Sequence, residues 1–286
     1  MKIIDTYSEL LTSYEGTAFS LDRWKSYMDR SLPGAAPLFL ADLEECLGTG
    51  NVTWEKDYLP VLNDVALHGD FREKAHASFC RAVEHLENRV AERFGKSLDV
   101  ELIFLLGLCS GAGWVTEYGG KNVIFFGIEK MIELNWCGLD GMIGLIYHEL
   151  GHVYQAQYGV LGRAFQKGED SFLWQLFTEG IAMVFEQELV GDPDYFHQDK
   201  DGWKDWCDRH FEGIKVDFTR DLPTMTRADQ RYFGDWVSYR GRGDVGYYLG
   251  SRFVRYILAK YPFDEIISFD IDTVRELYRQ FVNRSL

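Results

Sequence analysis

The chain has 286 residues, 46% of them apolar and 15% aromatic, a composition that excludes a disordered polymer and allows a sizeable core. Its formal net charge of -15, from 45 acidic against 30 basic residues, sets up a field that repels phosphate backbones and argues against nucleic acid as a partner. No window reaches the length and apolarity of a membrane span, and the start MKIIDTYSELLTSYEG lacks the unbroken apolar stretch of a signal peptide, so the expected location is the cytoplasm.

In chain order, residues 1–96 read as a helical N-terminal part. In FREKAHASFCRAVEHLENRVAERFG, residues Phe71, Ala75, Phe79, Val83, Leu86 and Val90 recur at helical spacing. Pro33, Gly34 and the GTGN of residues 48–51 divide this part into several shorter helices. The pattern then changes. SLDVELIFLLGLCSGAGWVTEYGGKNVIFFGIE is rich in β-favouring residues, with turns at Gly111-Ala112-Gly113 and Gly119-Gly120, and predicts two or three strands.

Asp140 is placed to cap a helix running to about Tyr158, with Ile143, Ile146, Leu150 and Val153 as its apolar stripe. SFLWQLFTEGIAMVFEQELVG predicts a second helix from near Ser171 to Gly191. Residues 194–240, rich in Trp, Asp and Arg, show no clear period, and helices return in VGYYLGSRFVRYILAKY and DTVRELYRQFV. Without a repeat or linker, the chain reads as one continuous α+β domain, mainly α, with a small antiparallel or mixed sheet; residues 97–286 carry the catalytic part. The five cysteines, Cys46, Cys80, Cys109, Cys137 and Cys207, have no CxxC spacing and read as reduced packing residues.

The chemistry centres on His148-Glu149-Leu150-Gly151-His152 in the first of the two long helices. Residues four apart share a helix face, so His148 and His152 can present two imidazoles to one ion while Glu149 stands to its side. Catalytic zinc takes three protein ligands and keeps a fourth position open. Glu179, a carboxylate in the mostly apolar second helix, is the best third ligand, because burial without a positive partner would be costly. Glu186, two turns further on, is its rival. The expected cofactor is one zinc ion per chain.

HELGH followed by TEGIA on a second helix resembles the gluzincin metallopeptidases. SLDRWKSYM, the Gly-Trp strand, the two helices and GYYLG make the chain similar, over most of its length, to a bacterial family of predicted zinc-dependent proteases. The resemblance implies a zincin-like metalloprotease fold, zinc on His148, His152 and Glu179, and Glu149 as the catalytic carboxylate. It also implies a substrate strand before the zinc helix, for which Gly111, Ala112, Gly113 and Trp114 are the candidates, an extended peptide adding to a sheet edge. Met183 departs from the thermolysin pattern, which has an acidic residue four positions after the glutamate ligand, so the group that orients the first histidine stays open.

An oxyanion donor beside zinc is expected at Tyr247, since Tyr247, Gly250, Val254 and Leu258 form an apolar helical face, whereas Tyr248 shares its side with Arg252 and Arg255. His197, His210 and Arg242 are alternatives. GRGDVG, residues 241–246, matches GxGxxG, but too little chain follows it for a dinucleotide-binding sheet. The expected function is zinc-dependent hydrolysis of a peptide or protein substrate, with Glu149 as general base. The alternative is a peptidase-shaped binding or regulatory protein that turns over nothing.

Overall fold

The β-rich segment after residue 97 forms three of the strands of a four-stranded mixed sheet in the computed structural model, which describes residues 1–163, 168–234 and 236–283. Strand β1 (Lys2–Asp5) opens the chain, and β2 (Tyr14–Glu15) with β3 (Ala18–Phe19) makes a small separate hairpin. Helices α1 (Leu21–Ser31), α2 (Ala36–Gly48), α3 (Leu59–Leu67), α4 (Gly69–Val83) and α5 (Leu86–Phe94) follow. Then come β4 (Glu101–Leu105), β5 (Trp114–Tyr118), β6 (Lys121–Gly127), α6 (Ile128–Glu133) and α7 (Leu139–Tyr158). The rest is helical: α8 (Gly168–Val190), α9 (Trp203–Asp221), α10 (Val245–Leu258), α11 (Phe263–Ile266) and α12 (Ile271–Asn283). The chain is therefore mainly α with a small mixed sheet. It divides into two compact units, Met1–Glu149 and Leu150–Leu286, with the dividing line inside the unbroken α7.

In the first unit the strand order is β1-β4-β6-β5, with β1, β4 and β6 parallel and β5 antiparallel to β6. All five residues of β4 are buried, as a central parallel strand covered on both faces requires. The β5–β6 hairpin closes at Tyr118 and Lys121 through Gly119 and Gly120, both at positive φ, the two-residue turn that matches strand twist. Around the sheet, Phe39 packs against Trp114 and Phe125, and Phe79 against Phe104 and Phe126.

Two expectations for residues 1–96 differ from the structure. Lys2–Asp5 is a strand, paired in parallel with β4 about a hundred residues away, so no local period announces it. The continuous stripe from Phe71 to Val90 is broken at Glu84-His85, where His85 takes φ 60° and the chain starts a new helix; Phe71 is exposed.

In the second unit α8 is buried almost all round from Leu173 to Leu189, the pattern of a helix surrounded by others. It packs closely against α10. A Cβ on Gly180 would lie 2.3 Å from the Gly250 carbonyl oxygen, and one on Gly250 would lie 2.5 Å from the Leu176 carbonyl oxygen. Both obstacles are backbone, so a side chain there forces the helices apart. Gly180→Ala is expected to destabilise the protein by about 1–3 kcal/mol and lower its melting temperature by several degrees. Gly48→Ala, at a helix end with no atom within 4 Å of a built Cβ, should melt within a degree or two of the parent in the same thermal scan. Equal melting of Gly180→Ala and the parent would contradict the close packing. Helix α9, in the stretch without a clear period, buries Trp203, Cys207, Ile214 and Phe218 at helical intervals. Among the described residues no helix is long and apolar enough to cross a membrane.

Candidate metal centre

Helix α7 carries His148, Glu149 and His152 in its middle, where neighbouring turns hold the backbone regular and the side chains have defined directions. Of the predicted stripe, Ile146, Leu150 and Val153 are buried and Ile143 is half-buried. His148 is buried, whereas Glu149, His152 and Glu179 are half-buried. The approach of α8 to α7 depends on Gly151: a Cβ there would meet the Ala182 Cα at 2.7 Å and the Phe185 Cβ at 3.1 Å. That closeness is what lets His152 and Glu179 meet. The glycine inside HELGH thus has a packing role beside the metal-ligand pattern.

His152 Nε2 lies 3.3 Å from Glu179 Oε2. One donor atom from each of His148, His152 and Glu179 lies within 4.8 Å of the other two. Two bonds of about 2.0–2.1 Å at a tetrahedral angle put donor atoms about 3.3 Å apart, so the His152–Glu179 separation suits one edge of a zinc tetrahedron. Two imidazoles and a carboxylate are also the donor set that zinc accepts with a position to spare. Glu186, the rival ligand, is turned to a different partner. It is fully buried, with both carboxylate oxygens 3.0 Å from His197 Nδ1, and it accepts from the His197 amide.

Glu149 has a distinct setting. A Cβ on Gly113 would stand 2.6 Å from both the Glu149 Cγ and Oε1, so a side chain there would push this carboxylate from its seat against the chain entering β5. Gly111, Ala112 and Gly113 lie in the loop before the strand, and Trp114 opens it. The Gly127 amide donates to the Ala112 carbonyl, extending the ladder by a rung. With Tyr118 and Lys121 closing the hairpin, residues 112, 114, 116 and 118 bond toward β6. The main-chain groups of Gly113, Val115 and Glu117 then point away from β6 at the edge of the sheet.

The loop from 106 to 113 is pinned by residues that the sequence pattern did not single out for this work. Trp24 Nε1 donates to the Leu106 carbonyl at 2.8 Å, and the Leu106 amide donates to the Tyr27 hydroxyl at 3.1 Å. Both anchors come from the SLDRWKSYM segment, whose Ser20 caps α1. Burial pushes the Tyr27 phenol up to about 12, so it stays protonated. Glu129, fully buried at the start of α6, accepts from the Gly107 and Cys109 amides at 2.9 and 3.0 Å. Burial raises its pKa, opposed by those amides. The only sequence cue to it was a carboxylate directly after a buried strand.

No family model, curated protein or solved structure matches the chain. The site therefore rests on its own geometry.

The candidate oxyanion donors separate by their surroundings. Tyr247 is half-buried and packs edge-on against Phe233. On its expected apolar face Gly250 and Val254 are buried, while Leu258 is only half-buried. Tyr248, placed by the sequence on the side of Arg252 and Arg255, is instead almost wholly buried, because α9 and the loop before it cover that side: its hydroxyl donates to Asp208 at 2.6 Å and Phe196 and Trp203 pack on its ring. His210 is tied to its own helix, with Nδ1 2.7 Å from the Trp206 carbonyl and its ring stacked on Trp206. Arg242 pairs with Tyr239 in a tight bridge that precedes Asp244 at φ 58°. The GRGDVG glycines thus shape a turn into α10 and do not follow a strand of a parallel sheet, which a dinucleotide fingerprint needs.

Proposed function

We propose that this protein is a zinc-dependent peptidase, with His148, His152 and Glu179 as ligands and Glu149 as general base. The observation that carries the reading is the convergence of those three donor groups within 4.8 Å, the two histidines on the helix that also presents Glu149 and the carboxylate of Glu179 from α8. A zinc ion held there would supply Lewis-acid polarisation of a carbonyl and a water of lowered pKa.

The residues of the chain do the rest. Glu149 takes a proton from the attacking water on its carboxylate and returns it to the leaving amine nitrogen. The outward main-chain groups of Gly113 and Val115 receive an extended substrate segment as an added strand, which brings a scissile carbonyl alongside Glu149. The Tyr247 hydroxyl donates to the negative charge that develops on the carbonyl oxygen. The zincin-like fold, the likeness to gluzincins and a cytoplasmic location belong to the same proposal.

The test is metal-dependent cleavage. A defined peptide mixture incubated with the zinc-loaded protein should yield new amino termini by mass spectrometry. Those products should disappear on chelation and return when zinc is restored. Cleavage indifferent to chelator, or none from zinc-loaded protein across the mixture, removes the proposal.

A further inference from the structure

We propose a second metal site, for a zinc-like divalent ion, formed by Asp5, His76 and Cys80. His76 and Cys80 stand one turn apart on α4, and Asp5 ends β1. One donor atom from each lies within 4.8 Å of the others. His76 Nε2 is 2.6 Å from Asp5 Oδ2 and 3.5 Å from Cys80 Sγ.

The shared nitrogen decides between two chemistries. A cysteine nucleophile activated through histidine needs the carboxylate on one ring nitrogen and the thiol on the other. Here both acceptor and thiol face Nε2, which is the arrangement in which three donors aim at a common point. With Zn–S of about 2.3 Å and Zn–N of about 2.0–2.1 Å, a tetrahedral site puts S and N about 3.5 Å apart, the spacing already present. The Asp5 oxygen has to withdraw by less than about 1 Å to reach its own place.

The ligands are held for that geometry. The Tyr7 ring lies flat on His76, with centroids 3.9 Å apart and planes 1° from parallel. The Tyr7 amide donates to Asp5 Oδ1 at 2.9 Å, which turns Oδ2 toward the imidazole. Such outer contacts orient metal ligands. Cys80 and Asp5 are exposed and His76 is half-buried, so an ion has access and a fourth position open to water. Thiolate, imidazole and carboxylate together suit zinc and its borderline relatives, not magnesium or calcium. A bound ion would clip the edge strand β1 to α4.

Cobalt(II) reads this site separately from the one on α7, because only this one offers a thiolate. The full-length protein, kept under a non-thiol reductant and titrated with Co2+, should develop a sulfur-to-cobalt charge-transfer band in the near ultraviolet that saturates at one equivalent of sulfur-bound ion. The band should be lost in Cys80→Ser and in His76→Ala, and retained in Glu179→Ala. Circular dichroism checks that the variants are folded. Absence of the band in the parent, or its survival in Cys80→Ser or in His76→Ala, overturns the proposal.

Discussion

Replacing Glu149 with Gln is expected to lower peptide hydrolysis by about 10²–10⁴-fold while leaving the zinc bound. That loss corresponds to about 3–5 kcal/mol of transition-state stabilisation. The substitution keeps the side chain's size and its seat against Gly113, where the carboxylate occupies the space a Cβ would fill. What the proposed mechanism loses is the carboxylate that would accept the proton of the attacking water and hand it on. The two imidazoles and Glu179 are untouched, so zinc measured by elemental analysis in a Cys80→Ser background should stay at about one ion per chain, as three-ligand catalytic sites hold. The comparison that matters is kcat/KM at equal zinc content. Undiminished hydrolysis would take the general-base role from Glu149. A parent protein that binds peptide and zinc but shows no hydrolysis to lose would instead favour the peptidase-shaped binding protein.

Glu179→Ala should act on the other half of the site. It removes the carboxylate 3.3 Å from His152 and leaves two histidines one turn apart, two of the three proposed ligands. Mutating outer partners of a metal site costs about 10–100-fold in affinity, and loss of a direct ligand is expected to cost at least that upper figure. Zinc content should fall from about one per chain toward zero in the same Cys80→Ser background, and hydrolysis should fall with it. Glu186→Ala serves as the contrast: Glu186 is fully buried against His197, so its loss should lower stability before it lowers metal content. Full zinc occupancy in Glu179→Ala would move the third ligand elsewhere.

The parts legible in the sequence were those set by neighbours along the chain. HELGH could be placed mid-helix because the apolar residues around it keep the helical period, and α7 does run from Leu139 to Tyr158. Gly119-Gly120 could be read as a turn because both positions take positive φ, which only glycine adopts freely. The long helix bearing Glu179 was visible from its apolar run, although it starts at Gly168, before Ser171. Strand β1 was invisible, since a four-residue strand paired in parallel with β4 draws its stability from a partner far away in sequence. The break at His85 was hidden by an apolar stripe that continues in register across it. Tyr247 and Tyr248 could not be ranked from a helical wheel, because the burial of Tyr248 comes from Asp208, Phe196 and Trp203 on other segments.

By itself, then, the sequence determined the spacing of two imidazoles on one helix, the acidic residue between them, and the mainly helical class. Spacing along a helix is a local property. Only the tertiary structure decided that Glu179 and not Glu186 meets His152, that Gly151 and Gly180 let backbones approach closely enough for that meeting, and that Gly113 makes room for Glu149. It alone joined Asp5 to His76 and Cys80. Those choices depend on which surfaces pack together, and close packing is settled by the shapes of segments that no local pattern relates.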